Sequence, residues 1–228
     1  MRGSPMSTYG QFCPVAKAME ILDERWTLLI VRELLSGSSR FNEIRRGVPR
    51  MSPALLAKRL RTLERAGVLE RREERGGVGY RLTESGRELS EVVEALGRWG
   101  VRWIGELGVA DLDPHLLMWD MRRTVPVGAW PRERTVVAFH FTDVGARQAR
   151  WWMCVRGNEV DVCDHDPGFE TSVWLRTTLR GLTEVWRGDR EWADLLADPR
   201  TSLEAVGAAG RELPAWLGRS AMAAVPRP

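Results

Sequence analysis

The stretch from Ser52 to Gly67 constrains the fold most, because its spacing predicts a helix with two chemically opposite faces. Ser52 is a good helix-capping residue, Pro53 suits the first helical position, and Gly67 ends the pattern. On a wheel of about 100° per residue, one face carries leucines and the other is largely cationic, with Arg59 at the flank. The leucine face comprises Leu56, Leu60 and Leu63, and the opposite face comprises Ala54, Lys58, Arg61 and Arg65. Such a helix packs its leucines on a core and leaves its cations outside.

Three shorter helices are predicted before this segment, and a hairpin and a long helix after it. Apolar residues recur at helical spacing over residues 14–22, 26–35 and 41–46. Residues 68–73 and 79–82 are strand-like, and the polar residues 74–78 join them as a turn. An amphipathic pattern then continues from residue 84 to 104. This order of elements is that of a winged helix-turn-helix.

The two halves of the chain differ in charge and in tryptophan content. Residues 1–105 carry 19 Lys and Arg against 13 Asp and Glu, a net charge of +6, whereas residues 106–228 carry 15 against 18, a net charge of −3. Eight of the 11 tryptophans lie in the second half. Because a polyanion binds where basic residues are concentrated, the first half of the chain is expected to bind nucleic acid. The length of 228 residues suits two domains.

Five sequence blocks within residues 13–103 resemble the HxlR family of transcription regulators, which is near MarR. The blocks are Cys13-Pro14-Val15, Arg25-Trp26-Thr27-Leu28-Leu29-Ile30, Arg40-Phe41-Asn42-Glu43-Ile44, Met51-Ser52-Pro53-Ala54-Leu55-Leu56-Ala57-Lys58-Arg59-Leu60 and Tyr80-Arg81-Leu82-Thr83-Glu84-Ser85-Gly86. Their order and spacing are more specific than any single block. The resemblance implies a winged-helix, DNA-binding domain over residues 13–104, after an N-terminal tail of residues 1–12.

The helix opened by Ser52 is the expected recognition helix, since the major groove admits one helix and its amino-terminal part meets base edges. Side chains near its start are predicted to read bases, and arginines around it to meet phosphate or the minor groove. The predicted DNA-binding residues are Arg40, Arg50, Ser52, Pro53, Ala54, Leu55, Lys58, Arg59, Arg61 and Arg75. A solvated basic face without DNA is the alternative.

Cys13 stands at the start of the first predicted helix, where the helix dipole favours a thiolate. In some HxlR-like regulators a cysteine at the matching position senses oxidants or electrophiles. The alternative is a small buried hydrophobe, and no second cysteine lies in this half.

Residues 105–114 change composition and are predicted to form a linker, and residues 115–228 a second, α+β domain. A helix over residues 115–123 precedes strands over 135–141, 150–155, 159–163 and 171–175. Helices over 178–186 and 191–196, a short strand over 202–204 and a helix over 206–217 complete the pattern. A run of strands followed by helices suggests an α+β layer.

This second half resembles the sterol-carrier-protein type of lipid-binding domain. The matching elements are Asp161-Val162-Cys163 before Asp166-Pro167-Gly168-Phe169, the helix with Leu182, Val185, Trp186 and Gly188, and Leu213-Pro214-Ala215-Trp216-Leu217. The resemblance implies a hydrophobic small-molecule ligand. The predicted ligand-binding residues are Met118, Met121, Trp151, Trp152, Trp174 and Trp186, with Trp151 and Trp152 on opposite faces of a strand.

Several other classes of protein lack support in the sequence. No catalytic motif or Gly-rich phosphate loop occurs, so no enzyme activity and no cofactor is predicted. Residues 163–166 contain metal-ligating types, but adjacent residues rarely converge on one ion, and no metal site is predicted. The start lacks a secretion signal, no apolar run is long enough for a membrane, and three cysteines suit a reducing compartment, so the cytoplasm is expected.

The sequence therefore predicts a homodimeric regulator, a repressor, that binds an inverted-repeat operator in double-stranded DNA. The first helix and the helix over residues 84–104 are expected to form the dimer contact. A hydrophobic effector in the second domain would act through residues 105–114. Two alternatives stay open, namely a second domain that is a ligand-free interaction or dimerisation module, and a redox sensor based on Cys13.

Overall fold

The computed structural model describes residues 8–228, so the first seven residues of the predicted tail lie outside the described residues. The chain contacts divide it into two compact units, residues 1–96 and 97–228. The long helix over Glu84–Trp103 contributes to both units. Residues 105–114, predicted as a linker, belong to the second unit.

The N-terminal unit has the element order of a winged helix. Its helices are α1 (Pro14–Leu22), α2 (Thr27–Leu35), α3 (Phe41–Gly47) and α4 (Pro53–Arg65), followed by β1 (Leu69–Glu74), β2 (Gly77–Leu82) and α5 (Glu84–Trp103). The prediction of three helices, a recognition helix, a hairpin and a long helix is confirmed, and most predicted ends lie within one or two residues of the observed ones.

Helix α4 begins as its sequence predicts. The Ser52 hydroxyl accepts a hydrogen bond from the Leu55 amide at 3.3 Å, and Pro53 occupies the first turn, where an amide hydrogen would have no helical partner. Gly67 ends the segment with a φ of 72°, a left-handed conformation that glycine adopts readily. Leu56, Leu60 and Leu63 are buried in the core of this unit, together with residues of α2 and α3.

The hairpin turn is shorter than predicted. Strands β1 and β2 pair in antiparallel register from Leu69 opposite Leu82 to Glu74 opposite Gly77, which leaves only Arg75 and Gly76 as the turn. Gly76 and Gly77 have φ values of 95° and 117°. Because glycine tolerates positive φ in a two-residue turn, the strands extend into residues predicted as loop.

The C-terminal unit is a five-stranded sheet covered by helices. After α6 (Pro114–Thr124), the strands are β3 (Thr135–Phe141), β4 (Arg150–Arg156), β5 (Glu159–Cys163) and β6 (Val173–Thr177). Helices α7 (Leu179–Arg187) and α8 (Trp192–Leu196), strand β7 (Ser202–Ala205) and helix α9 (Ala209–Leu217) follow. The strand order is β5-β4-β3-β6-β7, in which β3 and β6 are parallel and the other pairs antiparallel. The α+β class is confirmed.

Residues 105–114 are anchored within the C-terminal unit. They form a largely extended segment with one short 3₁₀ turn, Val109–Asp111. Arg180 of α7 donates a hydrogen bond to the Leu107 carbonyl at 3.1 Å, and Arg187 donates one to the Gly105 carbonyl at 3.3 Å. The segment is therefore attached to a helix of its own unit by charged donors.

Candidate nucleic-acid interface

The exposed face of α4 carries most of the predicted base-reading residues. Ser52, Pro53, Ala54 and Lys58 are exposed and Leu55 is half-buried, while the leucines of the opposite face are buried. Arg61, one turn further along, is also exposed. The side chains that face solvent at the start of this helix are short or cationic, so the backbone can approach a base edge or a phosphate closely.

Arg59 is the exception among the α4 residues, and its position corrects the sequence-based assignment. Only 8% of the residue is exposed, and its guanidinium pairs with the Glu24 carboxylate between α1 and α2. At the flank of the helix, a long side chain can turn towards the core, and here it does so. Arg59 therefore fastens α4 to the preceding helices and is removed from the set of candidate base contacts.

Arg40 is also engaged with the protein itself. Its guanidinium donates to the Gly77 carbonyl at 2.9 Å and to the Arg75 carbonyl at 3.2 Å, and it lies 3.1 Å from the Glu74 carboxylate. Next to it, the Tyr80 amide donates to the Ser39 carbonyl at 2.7 Å. These bonds fix the hairpin to the start of α3. Arg40 thus positions the hairpin, and sequence reasoning had placed it among the DNA contacts.

Arg75 occupies the tip of the hairpin and is exposed. Among residues 8–228, no carboxylate lies within ion-pair distance of its guanidinium. The other hairpin arginines do have such partners: Arg72 pairs with Glu70 at 2.6 Å, and Arg81 pairs with Glu74 at 2.7 Å. The hairpin therefore offers one uncompensated cation at its tip. Arg50, the remaining predicted phosphate contact, is exposed just before α4.

Sequence reasoning missed Glu24 and Glu74, the carboxylates that orient Arg59 and Arg40. Each lies more than 30 residues from its arginine, and nothing in a helical or strand pattern links such distant positions. An acidic residue between two predicted helices is the only sequence signal for Glu24, and it is a weak one.

Two helices of the described chain leave apolar side chains in solvent. Helix α1 buries none of its residues and exposes Val15 and Met19. On α5, Leu89 and Val93 pack against the core of the N-terminal unit, whereas another set is exposed. That set is Val92, Leu96, Trp99 and Trp103, spaced four, three and four residues apart and exposed by 43–62%. The spacing places the four on one side of the helix.

The predicted ligand-binding residues are divided between the core and the surface of the C-terminal unit. Met118, Met121, Trp151 and Trp186 are buried in the core between the sheet and its helices. Trp174 is 45% exposed, and Trp152 is half-buried on the strand face opposite Trp151. The Trp186 indole donates to the Asp120 carboxylate at 2.8 Å, which satisfies its polar atom inside the core. Four of the six side chains assigned to a ligand are thus part of the packed core, whereas Trp152 and Trp174 are not.

The C-terminal unit has instead a cleft of about 760 Å³ near the end of the β4–β5 hairpin, lined by charged and apolar groups. Its lining residues include Arg122, Arg123, Arg134, Arg156, Glu159, Asp161, Cys154, Cys163, Val127, Val160, Pro167 and Phe169. None of the six predicted ligand-binding residues lines it. Burial raises the pKa of Cys154 to about 11 and also raises the pKa of Cys163, so both thiols are neutral near pH 7.

Cys13 lies at the amino-terminal end of α1 and is half-buried, with a free thiol. Cys163 is the last residue of β5, and beyond it the Asp166 carboxylate accepts a hydrogen bond from the Gly168 amide at 2.8 Å. Within residues 8–228, no three histidine, cysteine or acidic side chains are grouped as a metal site requires. In the same part of the chain, no helix combines the length and the apolar character needed to cross a bilayer.

The fold and the exposed face of α4 define a class, the winged helix-turn-helix regulators that bind DNA. The family model described as HxlR-like helix-turn-helix matches residues 21–107. YvaP, an uncharacterised HTH-type transcriptional regulator of Bacillus subtilis (strain 168), is 39% identical over 98 residues, which are 41% of this chain and 91% of YvaP. An uncharacterised HTH-type transcriptional regulator of Synechocystis is 34% identical over 103 residues, which are 44% of this chain and 76% of that protein. The chain belongs to the HxlR-like helix-turn-helix family.

A solved structure is also similar to part of this chain. The reduced form of the transcriptional regulator YodB from Bacillus subtilis is 33% identical, with a TM-score of 0.37, and the match covers 42% of this chain and 97% of that one. The family match ends at residue 107, so it includes α5 and stops before α6.

Proposed function

We propose that this protein is a homodimeric, sequence-specific repressor whose affinity for DNA is modulated by a small molecule in its C-terminal domain. The observation that carries the DNA-binding role is the exposed start of α4, where Ser52, Ala54 and Lys58 face solvent above a buried leucine face. Leu55 and these three residues read base edges in the major groove. Arg50, Arg61 and Arg75 bind phosphates on either side, and Arg75 reaches them from the hairpin tip.

Two copies of the chain bind together through the apolar sides of α1 and α5. Two recognition helices then meet successive major grooves, about 34 Å apart, on an inverted repeat. The exposed apolar side chains of Val15, Met19, Leu96, Trp99 and Trp103 support this assignment, since an isolated chain would leave them in water. A protein seated on an operator blocks access of other proteins to that DNA, which is the basis of repression.

The C-terminal unit is assigned as an effector domain of the sterol-carrier-like α+β type. A five-stranded sheet covered by helices supports this assignment. An effector would act through residues 105–114, whose carbonyls accept hydrogen bonds from Arg180 and Arg187 of α7. For this coupling to work, the effector must bind the DNA-competent and incompetent dimers with different affinities.

A second candidate is favoured by the packing of the C-terminal core. Because Met118, Met121, Trp151 and Trp186 are all buried in the core, a ligand-free interaction module is the competing role. Loss of operator binding when a small molecule is added would favour the effector domain, and indifference to every compound tested would favour the module.

The DNA-binding role is tested by selecting duplexes from a random pool with the purified protein and measuring affinity by fluorescence anisotropy at several salt concentrations. Lys58→Ala should weaken binding and relax the sequence preference at one operator position. Arg61→Gln should weaken binding to all duplexes. It should also reduce the slope of log affinity against log salt concentration by about one, as expected for the loss of one phosphate contact. Arg150→Gln, an exposed change on β4, is the control and should behave like the wild type. Failure of the selection to enrich any sequence would disprove the proposal.

A further inference from the structure

The cleft at the β4–β5 hairpin gathers guanidinium groups that have no carboxylate partner. Within residues 8–228, no carboxylate lies within ion-pair distance of Arg122, Arg134 or Arg156, all of which line the cleft. The fourth lining arginine, Arg123, pairs with Asp120 at 3.1 Å. A smaller cavity formed by Arg132, Glu133, Arg134 and Arg156 adjoins it and extends the positive surface. The net charge of the cleft remains positive even with Glu159 and Asp161 on its wall.

Most arginines in the last part of the same unit have a carboxylate partner. On and after α7, six of the seven arginines have a carboxylate within 4 Å, and only Arg211 has none among the described residues; the six are Arg180, Arg187, Arg190, Arg200, Arg219 and Arg227. The unit as a whole is rich in acidic residues, so partners are available. What distinguishes Arg122, Arg134 and Arg156 is that all three line one concave surface, so their charges add and create a positive potential inside the cleft.

Aromatic rings hold two of these guanidinium groups in place. The Arg134 guanidinium lies 3.9 Å from the centre of the Phe169 ring, and the Arg122 guanidinium lies 5.1 Å from the Trp119 ring. Stacking covers the flat face of a guanidinium and leaves the N–H groups along its edge available. Such an edge matches the two oxygens of a carboxylate, and a side chain held in advance loses less entropy on binding.

Part of the cleft wall is apolar. Val127, Val160, Pro167 and Phe169 contribute side chains, and Phe169 is 43% exposed even though it is large and hydrophobic. A volume of about 760 Å³ is typical of sites for small organic molecules. The two thiols on the wall, Cys154 and Cys163, add no negative charge near neutral pH, because burial keeps them protonated.

We propose that this cleft binds an organic carboxylate with an aliphatic or aromatic body, and that this anion is the effector of the regulator. The proposal rests on the proposed function for its regulatory clause, and it places the ligand among arginines rather than in the tryptophan core. The carboxylate is held by the edges of Arg134 and Arg156, with Arg122 adding positive potential. The apolar body lies against Val127, Val160 and Phe169.

Isothermal titration calorimetry of the full chain tests the site. The affinities for octanoate and 4-phenylbutyrate are compared with those for the corresponding amides, octanamide and 4-phenylbutyramide. The amides keep the apolar body and remove the charge, so they should bind at least about tenfold more weakly. Arg156→Gln and Arg134→Gln should each cost the carboxylates about tenfold in affinity. Arg150→Gln changes an exposed arginine at the other end of β4, outside the cleft, and should have no effect. Thermal unfolding of each variant verifies that it is folded.

Three results would overturn the site: equal affinity for amides and carboxylates, equal effects of Arg156→Gln and Arg150→Gln, or binding of inorganic phosphate as tight as that of octanoate. Weaker DNA binding by Arg156→Gln without any ligand would also overturn it, because the cleft would then belong to the DNA interface.

Anisotropy with the selected duplex separates this proposal from the proposed function. If octanoate binds the wild type and changes its affinity for DNA, the result supports both the anion site and its role as the effector site. If octanoate binds without changing the affinity for DNA, the anion is not the effector, and only the anion site stands. A protein that selects no duplex yet binds octanoate shows that the regulatory function has failed while the anion site stands.

Discussion

Glycine is required at residue 86 because of a close approach in the N-terminal unit. A Cβ built on Gly86, in the first turn of α5, would overlap the carbonyl oxygen of Val68. That oxygen belongs to the backbone and also accepts a hydrogen bond from the Thr83 amide at 3.1 Å. Neither group can move without disturbing the junction between α4, β1 and α5.

Gly86→Ala should therefore lower the free energy of unfolding by about 1–3 kcal/mol, the usual range for an overpacked site. Gly100→Ala on the same helix is the matched control. Among residues 8–228, and apart from its own helix backbone, no atom lies within 4 Å of a Cβ built there, so alanine should be neutral or stabilise the helix by up to about 1 kcal/mol. Chemical denaturation followed by circular dichroism measures both. Equal stability of the two variants would show that the junction tolerates a side chain.

The thiol of Cys154 gives a second prediction at this scale. Its pKa is raised from 9.0 to about 11, mainly by burial and further by Cys163 and Asp161. Between these two values the folded state holds a proton that the unfolded state has released, so this group should make the protein less stable as pH rises from 9 to about 11. Below that window its contribution is fully present.

The corresponding measurement is alkylation of Cys154 with iodoacetamide, followed by mass spectrometry of the peptide. Since the thiolate is the nucleophile, the reaction should be slow near neutral pH and accelerate only as pH approaches about 11. Unfolded protein in denaturant is the control and should react at lower pH. Fast alkylation of the folded protein at neutral pH would contradict the buried setting.

At the scale of elements, the hairpin depends on Arg40. Three groups near its tip, the Gly77 and Arg75 carbonyls and the Glu74 carboxylate, all contact one guanidinium. Arg40→Gln should release these bonds and raise the hydrogen-exchange rates of the β1 and β2 amides by about tenfold, as expected for hydrogen bonds to a charged group. Arg72→Gln, which removes an exposed pair with Glu70, is the control and should leave the rates nearly unchanged. Unaltered exchange in Arg40→Gln would mean that the guanidinium does not hold the hairpin.

The elements themselves could be predicted from the sequence because their signals are local. Ser52 and Pro53 set the start of α4, and leucine spacing sets its buried face, both within one helix. The turn at Arg75–Gly76 was predicted too long, because the pattern does not say which glycines take positive φ. Helix ends and strand ranges in the C-terminal unit were close for the same local reasons.

The site was less predictable, because side-chain direction depends on partners far along the chain. Arg59 lies at the helix flank, from which its side chain could point to solvent or to the core. It points inward and pairs with the carboxylate of Glu24, which lies 35 residues earlier in the chain. In the second unit, aromatic content predicts large buried side chains but not which of them line a cavity. Trp151 and Trp186 are buried in the core. The cleft is lined instead by residues at strand ends, among them Arg134 and Arg156.

At the scale of the whole molecule, the exposed apolar side of α5 is the feature that most favours association with a second copy of the chain. Leu96, Trp99 and Trp103 are about half exposed or more, and they follow one another at helical spacing. Burying a large side chain stabilises an assembly by about 1.5–3 kcal/mol, so a few such residues from each of two copies support a stable dimer. Because all three are exposed in the single chain, changing them should affect assembly and not folding.

In the proposed dimer Trp99 lies in the shared apolar surface, so Trp99→Glu should place a charge there and shift the protein from dimer to monomer in sedimentation velocity at micromolar concentration. Operator affinity should fall by about 100-fold or more, since two linked half-site contacts become one. Val206→Glu changes another exposed apolar residue, 58% exposed and outside both α5 and residues 105–114, and should leave both properties unchanged. Circular dichroism should show the same helix content in all three proteins. A wild-type protein that sediments as a monomer, or a Trp99→Glu protein that remains dimeric, would remove α5 from the dimer contact.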